Sequence, residues 1–207
     1  AGDSNNSSTI DTNPTSRSTS GTSMATPITA GAMALLRQYF VDGFYPTGVK
    51  NAADSIKPSG PLMKAMLLNG SNADAGFNYN RTGWGRPSLN NTLHFDGDSR
   101  KFKFWDVKHE NGLSDSESIT FEVEVLSGDE FRATLAWYDL PGPTGSGVTL
   151  VNNINLSVVA PDGTYLGNNF TAANSATSIT GGSADNLNTV EQVRITAPQT
   201  GTYQISV

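Results

Sequence analysis

The 207-residue sequence contains no cysteine, so neither a disulfide nor a thiolate metal site contributes to it. It holds only two histidines, His94 and His109, which leaves few bases for proton transfer near neutral pH. Lys and Arg total 13 against 19 Asp and Glu, a net charge of −6, and the basic residues never cluster. That balance argues against nucleic acid or an anionic membrane surface as partner. Nor does any apolar run approach the ~20 residues that span a bilayer. Initiator Met and signal peptide are both missing before Ala1, and the chain stops inside an alternating run at Val207. A piece is therefore expected to have been removed upstream, and the C-terminus is expected to be cut as well. What remains is long enough for one large or two small domains with a real core. Its abundance of Asn, Ser, Thr and Gly, with few Lys, reads as extracellular and secreted.

One stretch organises the rest. Gly21-Thr22-Ser23-Met24-Ala25-Thr26-Pro27 runs directly into an apolar segment with Met24, Ile28, Leu35, Leu36 and Phe40 at three-to-four spacing. This predicts a helix with one buried face, kept slim by Ala30, Gly31, Ala32 and Ala34. Pro27 is tolerated only in a first helical turn, so Ser23 is expected at or just before the start. Two uses of Ser23 fit that position. It caps the helix with its side chain, as Ser and Thr commonly do. Alternatively it is a nucleophile whose Oγ and backbone N–H face the positive end of the helix, where an oxygen gaining negative charge is favoured.

Residues 1–20 are almost wholly Ser, Thr, Asn, Asp and Gly and read as loop or very short strand. Connector chemistry follows the first helix through Gly43, Pro46, Gly48 and Pro58. A second helix is predicted from Pro61, with Leu62, Met63, Met66 and Leu67 on one side, Lys64 outward and a stop at Asn69-Gly70. Gly83-Trp84-Gly85-Arg86-Pro87 then makes a turn before a short helix. From about Phe102 the period becomes two. Strands are predicted at 101–107, 119–125, 131–137, 149–160, 192–197 and 202–207, separated by turn signals such as Pro141-Gly142-Pro143 and Pro161-Asp162-Gly163. This punctuation suggests an antiparallel sandwich or jelly roll.

The heptad at 21–27 with its Ala/Gly-rich helix resembles the nucleophile segment of the subtilisin-like serine peptidases, and the Gly83–Pro87 turn resembles the end of their catalytic domain. The segments Trp137-Tyr138-Asp139-Leu140-Pro141-Gly142 and Leu150-Val151-Asn152-Asn153-Ile154-Asn155-Leu156 resemble the β-domain appended in the oxidation-tolerant alkaline protease branch. The resemblance implies two parts. Residues 1–97 correspond to the C-terminal part of an α/β subtilisin-like catalytic domain, and 98–207 to an all-β sandwich or jelly roll, cut at its end. It also implies peptide-bond hydrolysis through an acyl-enzyme on Ser23. Gly21, Thr22 and Met24 would shape the turn that exposes Oγ, with Met24 lying against the nucleophile.

In that family the Asp and His of the triad precede the serine in the chain, and an upstream Asn completes the oxyanion hole. His94 and His109 both follow Ser23, and each is expected to be solvated at the surface. The chain alone is therefore expected to be inert, its partners being the missing N-terminal part of the catalytic domain and a protein or peptide substrate. No cofactor is expected for catalysis. Two uses of the oxygen-rich turns between the late strands stand side by side: a structural calcium ion, as the resemblance implies, held by Asn155, Asn169, Asp185 and Glu191, or ordinary Asx-rich turns in which amides replace the charged ligands of the family. A reading from another class remains: a non-catalytic β-sandwich binding module carrying a relic protease segment. Asn-x-Ser/Thr triplets begin at Asn5, Asn6, Asn69, Asn80, Asn90, Asn155 and Asn169; chance supplies many in an Asn/Thr-rich chain, and they act as acceptors only in a eukaryotic secretory protein.

Overall fold

The computed structural model describes residues 19–73, 79–128, 130–171 and 177–207; the expectations for residues 1–18 and for Asn5 and Asn6 lie outside these. Helices fill the first half and antiparallel strands the second, giving a mixed α/β chain.

Helix α1 spans Thr22–Val41, and Gly21 stands immediately before it. Pro27 therefore sits in the second turn, not in the first as its chemistry suggested. Lacking an N–H, it leaves the Ser23 carbonyl without the helical partner four residues on. The hydroxyls of Thr26 and Thr29 donate to the carbonyls of Thr22 (2.9 Å) and Ala25 (3.1 Å), binding the polar face of the same turns. The apolar stripe is covered only at its far end. Leu36, Tyr39 and Phe40 are buried, whereas Ile28 is 74% and Leu35 52% exposed. This corrects the expectation of one continuous buried face, because no described element packs over the first half of the helix.

Helix α2, Gly60–Asn69, follows its sequence pattern closely. The Ser59 hydroxyl accepts the Leu62 N–H at 3.1 Å, Pro61 lies in the first turn, and Leu62, Met66 and Leu67 are buried. These three meet Leu36, Tyr39 and Phe40 in a core flanked by Phe44, Tyr45, Phe102 and Phe104. Tyr39 stacks on Phe44 with centroids 5.5 Å apart, and Phe40 meets Phe104 edge-on at 5.3 Å. Burying each such side chain is worth about 1.5–3 kcal/mol. Gly70 ends α2 with φ −80°, so no left-handed turn demands glycine there. The reason is proximity, since a Cβ would fall 2.8 Å from the Thr92 backbone. Two short helices follow, α3 (Tyr79–Thr82) and α4 (Leu89–Thr92), with Asn72 and Arg86 paired by backbone hydrogen bonds of 2.9 and 3.0 Å.

Seven strands come next: β1 Thr120–Val125, β2 Phe131–Ala136, β3 Ser157–Ala160, β4 Gly163–Phe170, β5 Ser178–Thr180, β6 Val190–Ile195 and β7 Gly201–Ser206. They form one sheet in the order β1-β7-β3-β4-β5 and a second of β2 and β6, every ladder antiparallel. Leu156, Val158, Tyr165, Tyr203 and Ile205 from the larger sheet share a core with Ala133, Val193 and Ile195 from the smaller.

Two expected strands are changed and two were not anticipated. Residues 101–107 alternate in exposure and turn Phe102 and Phe104 onto the helical core, yet they join no ladder. Within 149–160 only Ser157–Ala160 is strand. Upstream of it, the Asp139 carboxylate takes the N–H groups of Val151 (2.7 Å) and Asn152 (3.0 Å) that a ladder would need. Strands β4 and β5 escaped the pattern because Gly163, Gly167, Asn168 and Asn169 read as turn residues. Asn168 holds φ 60°, and its amide joins the two sheets by donating to the Val190 carbonyl (2.8 Å) while accepting the Gln192 N–H (3.0 Å).

β6 is buried along its whole length. Val193 and Ile195 face the shared core, and Gln192 and Arg194 face the end of α2. There the last carbonyls of the helix are taken up by the β-strands. Arg132 donates to the carbonyls of Asn69 (2.7 Å) and Ser71 (3.0 Å), and the Asn69 amide donates to Thr134 Oγ1 at 3.0 Å. Glu130 pairs with both Arg132 and Arg194. Cations at a helix C-terminus suit its dipole and satisfy carbonyls that have no helical partner.

Candidate active site at the head of the first helix

The site is built on the turn from Gly21 into α1. Gly21 adopts φ 141°, ψ 167°, a region that is essentially glycine's alone. Among the described residues no atom lies within 4 Å of where its Cβ would stand, so conformation and not crowding explains the glycine. Its carbonyl accepts the N–H groups of Met24 and Ala25, both at 3.1 Å. The N–H groups of Thr22 and Ser23 are thereby left pointing out of the helix end, with no acceptor among the described residues.

Thr22 and Ser23 are exposed and Met24 is half-buried. Ser23 is the second residue of the helix, and no side chain caps it. The capping use of Ser23 is thus ruled out. What stands there is an exposed hydroxyl, without a partner among the described residues, beside an unpaired N–H at the positive end of a 20-residue helix. Such a pair can present a nucleophile and one oxyanion donor together.

The two histidines separate. His109 is exposed as expected, but His94 is 7% exposed, which corrects the expectation of a solvated ring. The Tyr39 hydroxyl donates to the His94 carbonyl at 2.6 Å, and Nδ1 of His94 is buried with no partner among the described residues. Tyr39 lies deep enough in the aromatic core that burial pushes its hydroxyl up to about 12.

The four residues expected at a calcium ion occupy different surroundings. Asn155 is exposed. The Asn169 amide donates to the carbonyls of Gly181 (2.6 Å) and Ile179 (3.4 Å). Burial acts to raise Asp185, but donors from Asn168, Asn188 and the Leu187 and Asn188 backbone outweigh it and hold the carboxyl below its ordinary value. Glu191 is fully enclosed. One oxygen accepts the Leu156 N–H at 2.6 Å and the other has no partner among the described residues. Burial pushes its carboxyl up to about 7 against that hydrogen bond, with the Asp185 charge adding to the rise. The free Glu191 oxygen is the atom a cation would use. Among the described residues no three His, Asp or Glu side chains lie close enough to hold a metal by themselves.

Sequence reasoning missed the Glu130–Arg132–Arg194 cluster. Its signal was present as polar residues at alternate positions on the strands, 130, 132 and 134 and again 192 and 194, where a single buried face would have been apolar.

Residues 1–85 match the Peptidase_S8 model, described as the subtilase family. Three proteins of Dictyostelium discoideum are similar over a larger part of the chain. Serine protease/ABC transporter B family protein tagA is 30% identical, covering 90% of this chain and 11% of the relative. The corresponding tagB is 28% identical, covering 92% and 12%. The corresponding tagD is 28% identical, covering 72% and 10%. The chain spans about a tenth of the length of these curated relatives. At family level the likeness of this chain is therefore to the subtilases, and the relatives that align across most of it are named serine proteases.

Proposed function

We propose that this chain carries the nucleophile and the appended β-domain of a secreted subtilisin-like serine endopeptidase, with an antiparallel sandwich of the oxidation-tolerant alkaline protease type. The observation that carries the reading is the exposed Ser23 hydroxyl beside an unpaired backbone N–H at the head of α1. A base from the upstream part of the protein takes the Oγ proton as Oγ attacks the carbonyl of a protein or peptide substrate. The carbonyl oxygen becomes negative next to the Ser23 N–H and the helix end, and collapse of the adduct expels the amine and leaves an acyl-enzyme. Water then releases the acid. The Asp, the His and the second oxyanion donor come from that upstream part, which also covers the bare half of α1.

The test is labelling with a serine-directed fluorophosphonate. The full protein is expected to react at Ser23 and Ser23→Ala to lose the label, while the 207-residue chain alone stays unlabelled. A full protein that fails to label at Ser23 overturns the nucleophile, and an isolated chain that labels at an enzyme-like rate overturns its dependence on the upstream part. A structural calcium ion is a separate proposal that rests on the free, enclosed Glu191 oxygen. Millimolar calcium should raise the melting temperature above that in chelator, and coincident melting curves would dismiss the ion.

A further inference from the structure

We propose that Asn90 and Asn155 carry N-linked glycans, and that Asn69 and Asn169, which stand in equally valid triplets, do not. The sequence offers all four on the same terms. Their surroundings differ. A glycan replaces one hydrogen of the asparagine amide and needs open solvent beyond it.

Asn90 is exposed on α4, and its amide has no partner among the described residues. Two residues on, Thr92 is 4% exposed and donates to the Ser88 carbonyl at 2.8 Å, so the threonine turns inward while the asparagine faces out. Asn155 repeats the arrangement ahead of β3. It is exposed and unpartnered among the described residues, and the next residue, Leu156, is 2% exposed.

Asn69 is the opposite case. Its amide donates across the seam to Thr134 Oγ1 and the Arg132 carbonyl, and the Asn69 backbone carbonyl accepts from the Arg132 guanidinium. A sugar there would stand between α2 and β2. Asn169 uses its amide on the carbonyls of Gly181 and Ile179, and the Gly182 α-carbon packs so closely against that amide that even a methyl group would collide.

The transfer joins the asparagine nitrogen to the anomeric carbon of a lipid-diphosphate-linked oligosaccharide. The carbon–oxygen bond to the diphosphate breaks, the amide loses one proton to a base, and nothing is oxidised or reduced. The hydroxyl that each triplet must offer the transferase is locked in the fold at Thr92 and at Ser71, which is 1% exposed and donates to the Leu67 carbonyl. Transfer therefore precedes folding, and the closing seam at Asn69 and the close Gly182 contact at Asn169 keep chains modified at either from reaching the folded state.

The inference rests on the secreted reading of the chain and on a eukaryotic source such as that of its relatives, not on its chemistry at Ser23, so the two fail separately. The experiment is glycosidase release in heavy-oxygen water on protein from its native source, followed by peptide mass mapping. The expected result is a label at Asn90 and Asn155 and none at Asn69 or Asn169. In a eukaryotic secretory host, Asn90→Gln and Ser157→Ala should each remove one step of the gel shift. Bare asparagine at position 90 or 155, or occupancy of Asn69 or Asn169 in the folded protein, overturns the assignment, whether or not Ser23 reacts with a fluorophosphonate.

Discussion

Gly21 leads into the helix through a backbone conformation that a side chain all but closes. Gly21→Ala should strain the turn by about 1–3 kcal/mol. Because no described atom crowds the position, the strain is expected to appear as slower fluorophosphonate labelling of the full protein at Ser23, with its melting temperature shifting only modestly. A collapse of melting temperature without loss of labelling would contradict this. Glu191 offers a second test at the same scale. Its enclosed carboxyl is raised from 4.5 to about 7, so in chelator-treated protein the folded chain holds a proton that the unfolded chain releases between those values. Its contribution to stability is full below that window and declines as pH rises through it. Melting temperature followed across that range should fall for the wild type, and the Glu191-dependent part of the fall should vanish in Glu191→Gln.

Among the elements, α2 shows how far a sequence pattern reaches. Pro61, the buried Leu62, Met66 and Leu67, and the stop at Asn69-Gly70 were all readable, because each follows from local geometry and a single apolar face. The end of the helix was not, since its carbonyls are satisfied by side chains more than sixty positions away. Arg132→Ala removes two donors from those carbonyls and leaves Glu130 short of a partner. It should cost about 2 kcal/mol in urea unfolding. Gly70→Ala should cost a similar amount, about 2 kcal/mol, through collision with Thr92 rather than through backbone conformation. Strands β4 and β5 were hidden for the converse reason. Asn168 and its neighbouring glycines carry turn chemistry, but the Asn168 amide performs the pairing that a backbone would perform in a regular ladder.

At the scale of the molecule, α1 is half covered. Its seven-residue start was the most informative stretch in the sequence, whereas its burial was overread, because apolar spacing reports which face wants cover and not whether the cover is at hand. Leu36→Ala should cost about 3 kcal/mol in the 207-residue chain and Ile28→Ala no more than about 0.5. In the full protein the second value should rise toward the first if the upstream part lies over Ile28. The wholly enclosed strand β6 bears on how the chain comes apart. One side holds apolar contacts of the sheets and the other hydrogen-bonds to carbonyls at the end of α2, so neither half can melt without stripping it. Heating should thus produce one calorimetric peak for both halves, and a fragment limited to residues 98–207 should clump, its sticky flank having lost its shelter.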